Sequence, residues 1–215
     1  MADPGHVIVS SELWSRVAAD YISARVRAMI ESRGVCHLAL AGGNTPAPVY
    51  RELDLDLTKV EFWFGDERCV PPDHADSNYR VAREIFGEAA VMHRMQAERE
   101  DRQAAADDYA DQLPISMDIT LLGMGGDGHT ASIFPGQSPM GRVAVVQGPK
   151  PPPWRLTLTE GEIRDSREII VLVTGASKAE MVRRALRDPS ANLPIQMADE
   201  GTWILDEPAA SLLKE

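Results

Sequence analysis

The sequence predicts a single α/β domain over residues 1–215, with a mostly parallel, Rossmann-like sheet and helices on both of its faces. Segments with the apolar character of strands alternate along the chain with segments whose apolar residues recur at helical spacing. Several strand segments are apolar at successive positions, which is typical of parallel strands buried on both faces. The alternation continues on both sides of the proline run Pro151–Pro153, so one domain is predicted rather than two.

The first half of the chain contains three predicted strands and four predicted helices. The strands are His6–Ser10, Val35–Ala41 and Val60–Phe64. The first helix runs to about Arg33, and the others cover Ala47–Leu53, Asn78–Phe86 and Glu98–Leu113. We expect Ser10 or Ser11 to cap the first helix and Gly34 to end it. Pro46 suits the first turn of the second helix.

The second half is predicted to hold five strands and two helices. The strands are Met117–Leu122, Arg142–Gln147, Arg155–Thr159, Glu168–Thr174 and Trp203–Asp206. One helix covers Lys178–Arg187, and a terminal helix follows the last strand. Because these strands continue the same alternation, we assign them to the same, mostly parallel sheet.

The charge balance excludes several classes of function. Lys and Arg number 22 and Asp and Glu number 33, which gives a net charge of −11. A field of that sign repels nucleic acid and anionic lipid, so we expect neither as a partner. The apolar runs are shorter than the roughly 18 residues that span a bilayer. The two cysteines, Cys36 and Cys69, fit a reducing compartment, and we expect a cytoplasmic location.

Four unusual loops each follow directly from a predicted strand. They are Gly42–Pro46, Gly65–Pro72, Gly123–Thr130 and Gly175–Lys178. The carboxyl ends of parallel strands meet at one edge of a sheet, and ligands of open α/β sheets bind there. Glycine is common in turns for backbone reasons alone, but four glycine- and charge-rich loops at one edge predict a single binding site.

The Gly123–Thr130 loop imitates two nucleotide-binding motifs and completes neither. Its glycines satisfy G-x-G-x-x-G, but the next carboxylate after Asp127 is Glu160, which is too distant to bind a ribose hydroxyl. The same stretch lacks the lysine of a phosphate-binding P-loop. The chain has no H-x-H, H-E-x-x-H or cysteine cluster for a metal. We therefore predict no cofactor and no resident metal ion.

His129 is the candidate general base of the predicted site. Glycines surround it in a loop at the ligand-binding edge, where packing gives little reason for an imidazole. A histidine titrates near neutral pH and can take a proton from water. Asp127 is expected to orient groups in the site, and the backbone N–H groups of Gly125–Gly128 or Gly42–Asn44 to bind an oxyanion. The other histidines are predicted to be structural: His6, His37, His74 and His93.

An anionic substrate needs a local positive field in so acidic a chain. The stretch Gly128–Thr159 contains no Asp or Glu, so the cations within it are candidates, together with those on the glycine-rich loops. The fixed charges available are Arg68, Arg142, Lys150, Arg155 and Lys178. Each of them is alternatively a solvated surface charge, and their spacing does not rank them.

The chain resembles the 6-phosphogluconolactonase family in six stretches. They are LALAGGNTP (38–46), FWFGDERCVP (62–71), DSNY (76–79), GMGGDGHTASIFPG (123–136), PPPWRLTLT (151–159) and TGASKAE (174–180). The G-M-G-x-D-G-H-T-A-S block is the most specific of them. Family members often have Ser-Gly-Gly-Ser-Thr-Pro where this chain has Ala41 and Asn44, and the Asn44 amide can still donate a hydrogen bond.

The resemblance implies hydrolysis of 6-phosphoglucono-δ-lactone to 6-phosphogluconate in the pentose phosphate pathway. It implies a single α/β domain, shared with glucosamine-6-phosphate deaminases and sugar-phosphate isomerases. It supports His129 and Asp127 as catalytic residues. The substrate-binding residues that it implies are Gly42, Gly43, Asn44, Thr45, Asp66, Arg68, Arg155 and Lys178.

The deaminases are the alternative enzyme class. They typically follow the histidine with I-A-F-N-E-P and carry D-E-Y. This chain has T-A-S-I-F-P at 130–135 and D-E-R at 66–68, which favours the lactonase. A sugar-phosphate-binding regulator without turnover is the non-enzymatic alternative.

Overall fold

The computed structural model describes residues 5–213 and confirms the predicted fold class. Seven parallel strands form its central sheet. In spatial order they are β1 (His6–Val9), β10 (Thr202–Asp206), β9 (Glu168–Val173), β6 (Ile119–Gly123), β2 (Cys36–Leu40), β3 (Val60–Phe64) and β5 (Val91–Met92).

Helices cover both faces of this sheet. They are α1 (Trp14–Arg33), α2 (Pro46–Glu52), α3 (Asn78–Phe86), α4 (Arg102–Gln112), α5 (Glu160–Arg164) and α6 (Ala179–Arg187). Buried side chains of α1–α3 pack with Phe62 and Phe64 of β3, whereas those of α4–α6 belong to the cluster that contains Trp63. Successive residues of a strand point to opposite faces of the sheet. The strands that are apolar at successive positions therefore contact a helix layer on each face. In the described part of the chain, no helix is both long and apolar enough to cross a membrane.

The structure corrects the assignment of every strand to one sheet. Three strands form a separate antiparallel sheet in the order β4 (Asp66–Arg68), β8 (Trp154–Leu158) and β7 (Val143–Gln147). The strands predicted at 142–147 and 155–159 therefore exist, but they pair away from the parallel sheet. The chain changes sheets at Gly65, whose N–H donates to Leu40 O at 3.0 Å while its carbonyl accepts from Leu158 N at 2.8 Å.

The helix ends show which local signals were sufficient. Gly34 ends α1 with φ 86°, and Pro46 opens α2, as predicted. The predicted serine caps of α1 are wrong, because no side chain caps this helix and Ser11 Oγ donates instead to Asp206 Oδ2 at 3.2 Å. The predicted terminal helix is also wrong over the described residues, since 207–213 form turns and a bend.

Three further differences concern short or charged segments. The helix predicted from residue 98 begins at 102, because the Asp101 side chain accepts from Ala104 N at 3.0 Å and caps it there. The two-residue strand β5 and the five-residue helix α5 have no counterpart in the prediction. Elements this short carry too few residues to show a periodicity.

The sheet topology places a crevice at the carboxyl ends of β2 and β6. These two strands are neighbours at the centre of the sheet. The chain leaves β2 toward α2 on one face, and it leaves β6 toward the antiparallel sheet and α5, whose buried residue belongs to the opposite cluster. Ligands of open α/β sheets bind at such a divergence. The 42–46 and 123–130 loops start from these two strand ends.

Candidate active site

A cavity of about 180 Å³ opens at this crevice. Residues from three of the four predicted loops and from β8 line it. The predicted site residues among them are Gly42, Gly43, Asn44, Thr45, Asp66, Arg68, His129 and Arg155. Thr130 and Ala131 also line the cavity and were not predicted. Asp127, within the 123–130 loop, and Lys178 are not among the lining residues; Asp127 pairs with His129, and Lys178 donates to Met124 O.

Asp127 and His129 form a hydrogen-bonded pair. Asp127 Oδ1 lies 2.5 Å from His129 Nδ1 and also accepts from the backbone N–H of His129 at 3.2 Å. Partial burial alone would raise the pKa of Asp127, but the hydrogen bonds from His129 lower it below its usual value. An ionised carboxylate only accepts hydrogen bonds, so Nδ1 must donate. In the neutral imidazole the lone pair is then on Nε2, the nitrogen that Asp127 does not hold.

Two glycines allow the 123–130 loop to wrap around this pair. A Cβ on Gly125 would overlap His129 Nδ1 and lie 2.7 Å from Asp127 Oδ1. Gly128 has φ +84°, a conformation that side chains disfavour, and a Cβ there would lie 2.8 Å from Leu193 Cδ2. The Gly125 N–H donates to His129 O at 2.8 Å, which closes the loop on itself.

Asp66 is buried, and its carboxylate connects two other loops. Asn78 Nδ2 donates to Asp66 Oδ1 at 3.1 Å, and Ser132 Oγ donates to Asp66 Oδ2 at 2.5 Å. Asn78 in turn packs so closely on Gly42 that a Cβ there would overlap its amide. The Asp66 side chain therefore ties together the loops that form the walls of the cavity.

Arg68 and Arg155 form the positive side of the cavity. They are direct partners in the antiparallel β4–β8 ladder. Among residues 5–213, no carboxylate lies within 4.0 Å of either guanidinium, and each has a buried Nε without a hydrogen-bond partner. Burial lowers the pKa of Arg155, the Arg68 charge lowers it further, and Asp66 raises it. Like charges on directly opposed residues are destabilising, so the pair favours a bound anion.

Glu67, the middle residue of the D-E-R run, supports Arg68 from the other face of β4. It is buried and accepts from the backbone N–H groups of Arg68 (2.7 Å), Asn78 (2.8 Å) and Tyr79 (2.8 Å). Burial raises the pKa of Glu67, and the N–H donors oppose that shift. Its position at the start of α3 fixes β4 to that helix. The D-E-R run showed three charges but not that the middle one turns inward.

Lys178 does not line the cavity. Its Nζ donates to Met124 O at 2.8 Å, which braces the first half of the 123–130 loop. Burial lowers the pKa of Lys178, and the nearby Asp127 charge raises it. The ammonium group therefore bonds to the 123–130 loop, and its predicted contact with an anionic substrate stays a prediction.

The structure separates the two candidate sources of oxyanion donors. In the 123–130 loop, Gly125 N donates to His129 O and Gly128 N donates to Gly125 O at 3.2 Å, while Gly126 and Asp127 do not line the cavity. Within the described chain, no protein acceptor is found for the N–H groups of Gly42, Gly43 and Asn44. These three residues line the cavity, and Gly43 adopts φ +90°.

Two cations of the acid-free stretch lie away from the site. Arg142 Nε donates to Glu162 Oε2 at 2.7 Å, and its other nitrogens donate to the carbonyls of Ala110, Leu113 and Pro114. Arg142 thus joins α5 to the end of α4. Lys150 is exposed and does not line the cavity. Of the three fixed charges in that stretch, Arg155 alone lines it.

The histidines predicted to be structural have contacts of their own. His37 Nδ1 lies 3.2 Å from the indole Nε1 of Trp63, and His93 Nε2 lies 2.9 Å from Glu61 Oε2. His74 Nδ1 accepts from the Asp76 N–H at 3.1 Å. Over residues 5–213, no three His, Cys, Asp or Glu side chains are grouped so as to hold a metal ion.

Comparison with known proteins gives one family. The family model for glucosamine-6-phosphate isomerases/6-phosphogluconolactonase matches residues 10–205. A 6-phosphogluconolactonase from Synechocystis sp. is 33% identical over an alignment of 239 positions that covers 100% of both chains.

Solved structures of two enzymes superpose on nearly the whole chain. The 6-phosphogluconolactonase from Trypanosoma brucei does so with a TM-score of 0.84 and 30% identity, covering 98% of this chain and 99% of that one. A monomeric glucosamine-6-phosphate deaminase does so with a TM-score of 0.85 and 25% identity, covering 97% and 99%. The fold is therefore common to two reactions, and the residues of the cavity must distinguish them.

Proposed function

This chain belongs to the glucosamine-6-phosphate isomerase/6-phosphogluconolactonase family, and we propose that it hydrolyses 6-phosphoglucono-δ-lactone with His129 as general base and without a metal. One observation carries the proposal: His129 of the Asp127–His129 pair borders the same cavity of about 180 Å³ as Arg68 and Arg155, which have no described carboxylate within 4.0 Å. A base and two arginines on one cavity of this size suit a small substrate with a reactive carbonyl and a phosphate.

The reaction needs an activated water. His129 Nε2 takes a proton from water while the water oxygen bonds to the lactone carbonyl carbon and the carbonyl π electrons move to its oxygen. When the tetrahedral intermediate collapses, the carbon–ring-oxygen bond breaks and the ring oxygen takes the proton back from the imidazolium. The product is the open hydroxy acid, which loses its acid proton to solvent. General-base catalysis of this kind contributes about 10²–10⁴-fold.

Asp127 keeps His129 ready for that step. Its carboxylate holds Nδ1–H, which fixes the ring orientation and leaves Nε2 as the basic nitrogen. The carboxylate also stabilises the imidazolium that forms during the reaction. Asp127 therefore acts through His129 and does not itself exchange the proton.

The negative charge that develops on the carbonyl oxygen needs donors in the cavity wall. We assign this role to backbone N–H groups of Gly42, Gly43 and Asn44, because those of Gly125 and Gly128 already bond within their own loop and Gly126 and Asp127 do not line the cavity. One such donor is worth about 10²–10³-fold in rate. The small side chains of this loop leave room for the carbonyl to approach.

Arg68 and Arg155 are the proposed phosphate ligands. Their guanidiniums present planar sets of donors that match phosphate oxygens, and no described carboxylate lies within 4.0 Å of either one. Arg68 Nη1 donates to Asp76 O at 2.7 Å, which orients that side chain. A phosphate dianion between them would also remove the repulsion of two like charges. Lys178 supports the 123–130 loop through Met124 O rather than reaching the same group.

The test uses two lactones and a chelator. Freshly prepared 6-phosphoglucono-δ-lactone is expected to be hydrolysed well above its spontaneous rate, with glucono-δ-lactone a much poorer substrate. A strong chelator is expected to leave the rate unchanged. Turnover that a chelator abolishes and a divalent ion restores would disprove the metal-free mechanism, and equal turnover of the two lactones would disprove phosphate recognition.

Glucosamine-6-phosphate deamination is the second candidate, because the deaminase structure superposes as well as the lactonase structure. It predicts ammonia release from glucosamine 6-phosphate. The residues that line the cavity favour hydrolysis over deamination, since Arg68 stands where the deaminase pattern has a tyrosine. Tight binding of both sugar phosphates without turnover of either would instead indicate a regulator.

A cytoplasmic location and the lack of nucleic-acid or membrane partners stay predictions from composition.

A further inference from the structure

A strap behind the 123–130 loop contacts the peptide that joins the two catalytic residues. The strap comprises residues 188–196, which connect α6 to the turn before β10. Ile195 N donates to Gly128 O at 3.0 Å, and Leu193 is buried against Gly128. Gly128 is the single residue between Asp127 and His129, so the strap fixes the backbone of the pair on the side away from the cavity.

The same stretch of chain holds the loop at a second point. Lys178, just before α6, donates from Nζ to Met124 O at 2.8 Å. Lys178, at the start of α6, therefore fixes the loop at Met124, and the strap, which follows the end of α6, fixes the loop at Gly128. Because α6 is one rigid helix, the position of the strap relative to α6 determines the spacing between these two points.

Gln196 sets that position with its side-chain amide. Oε1 accepts from Leu193 N at 2.8 Å, and Nε2 donates to Asp188 O at 2.8 Å and to Ala185 O at 3.3 Å. One amide thus joins the last turns of α6 to the residue that packs on Gly128. Gln196 is partly buried and does not line the catalytic cavity.

We propose that Gln196 is a positioning residue for His129: it locks the strap so that Leu193 and Ile195 hold Gly128, and thereby keeps His129 Nδ1 against Asp127. The inference rests on the proposed function for its kinetic consequence, but not for its structural one. Arg68 and Arg155 lie on β4 and β8, outside the strap. The KM for the substrate should therefore change little when the strap is loosened.

Gln196→Leu tests the proposal, because leucine has a similar size and makes none of the three hydrogen bonds. We expect kcat to fall about 10-fold or more, within the roughly 10²-fold effect of misplacing a catalytic group by 1 Å. KM should change by less than about 2-fold. Gln112→Leu is the matched control, since Gln112 also donates to a backbone carbonyl but is exposed at the end of α4.

A second readout does not require turnover. The ¹⁵N signal of His129 Nδ1, assigned by its loss in His129→Asn, should shift in Gln196→Leu and stay in place in Gln112→Leu. A fall in kcat together with this shift supports the proposal, and any other combination in a folded variant overturns it. If the wild type hydrolyses no lactone, the proposed function fails while the Nδ1 signal alone still decides the positioning role.

Leu193→Ala keeps the test open should Gln196→Leu fail to fold. It leaves the Gln196 hydrogen bonds in place and removes the contact with Gly128, so it should give the same fall in kcat and the same Nδ1 shift. Leu113→Ala is its control, because Leu113 is 7% exposed against 8% for Leu193 and lies at the end of α4. Equal kcat in the two alanine variants would overturn the proposal.

Discussion

Arg68 and Arg155 are direct partners in an antiparallel ladder, and neither has a carboxylate within 4.0 Å among the described residues. The whole chain carries an excess of acids, with a net charge of −11. An overall charge of that sign repels anions, and under the proposed function this pair of arginines attracts the substrate phosphate at one place. The local arrangement of charge, and not its total, therefore makes an anionic substrate acceptable.

Replacing either arginine should cost affinity for the phosphate specifically. Charge-assisted hydrogen bonds contribute about 1.5–3 kcal/mol each, so Arg68→Ala or Arg155→Ala should lower kcat/KM roughly 10–150-fold for the phosphorylated lactone. Glucono-δ-lactone should be affected far less. Lys150→Ala, which removes an exposed cation of the neighbouring loop, should change neither value appreciably. Equal losses on both lactones in both arginine variants would refute the assignment.

Lys178 should behave differently from the arginines. Its Nζ bonds to Met124 O and not to the cavity, so Lys178→Met should loosen the 123–130 loop and lower kcat by a similar factor for both lactones. Lys59→Met, at an exposed lysine before β3, serves as the control. A loss confined to the phosphorylated lactone would show instead that Lys178 is a phosphate ligand.

Local features of the fold could be predicted because neighbouring residues determine them. The strand at 60–64 is apolar at successive positions, Gly34 ends α1 and Pro46 opens α2, and each signal lies within a few residues of its effect. Sheet membership could not be predicted in the same way. The transfer of the chain at Gly65 depends on hydrogen bonds to Leu40 and Leu158, which are distant in sequence.

The candidate site follows the same division. The glycine-rich loop identified His129, and Asp127 is close enough in sequence for an interaction to be expected. The cations could not be ranked, because the choice depends on the β4–β8 register that opposes Arg68 and Arg155 and on Arg142 finding Glu162. The contact of Ile195 with Gly128 has no sequence signal at all, since both partners use backbone atoms.

Removing the base should abolish most of the rate enhancement. His129→Asn keeps the approximate size and some hydrogen bonding but cannot take a proton near neutral pH, so kcat should fall at least about 10²-fold. The circular dichroism spectrum should be unchanged. Near-normal turnover in a folded variant would place the base elsewhere.

The pH dependence of stability should report the ionised state of Asp127. Its pKa is lowered in the folded protein, since the His129 hydrogen bonds outweigh burial, so its contribution is present above the unfolded value of about 3.9 and lost as pH falls through the folded value. The difference in urea midpoint between the wild type and Asp127→Asn should therefore shrink as the pH falls below about 4. Asp107→Asn, which changes an exposed side chain of α4, should show no such trend. A difference that grows as the pH falls below about 4 would mean that Asp127 is held protonated.

Two adjacent glycines allow the geometry of the catalytic pair to be tested with one methyl group. A Cβ on Gly125 would overlap His129 Nδ1 and crowd Asp127 Oδ1, whereas a Cβ on Gly126 would meet nothing within 4 Å. Gly125→Ala should therefore push the imidazole from its carboxylate and lower kcat by about 10²-fold, the scale expected for displacing a catalytic group. Gly126→Ala should leave kcat unchanged, and the smaller entropy of its unfolded chain should leave stability equal or slightly higher. Steady-state kinetics on the phosphorylated lactone and thermal unfolding of both variants make the comparison. Because the two changes are chemically identical and one residue apart, equal activity would show that the close contact of Gly125 with the Asp127–His129 pair has no part in catalysis.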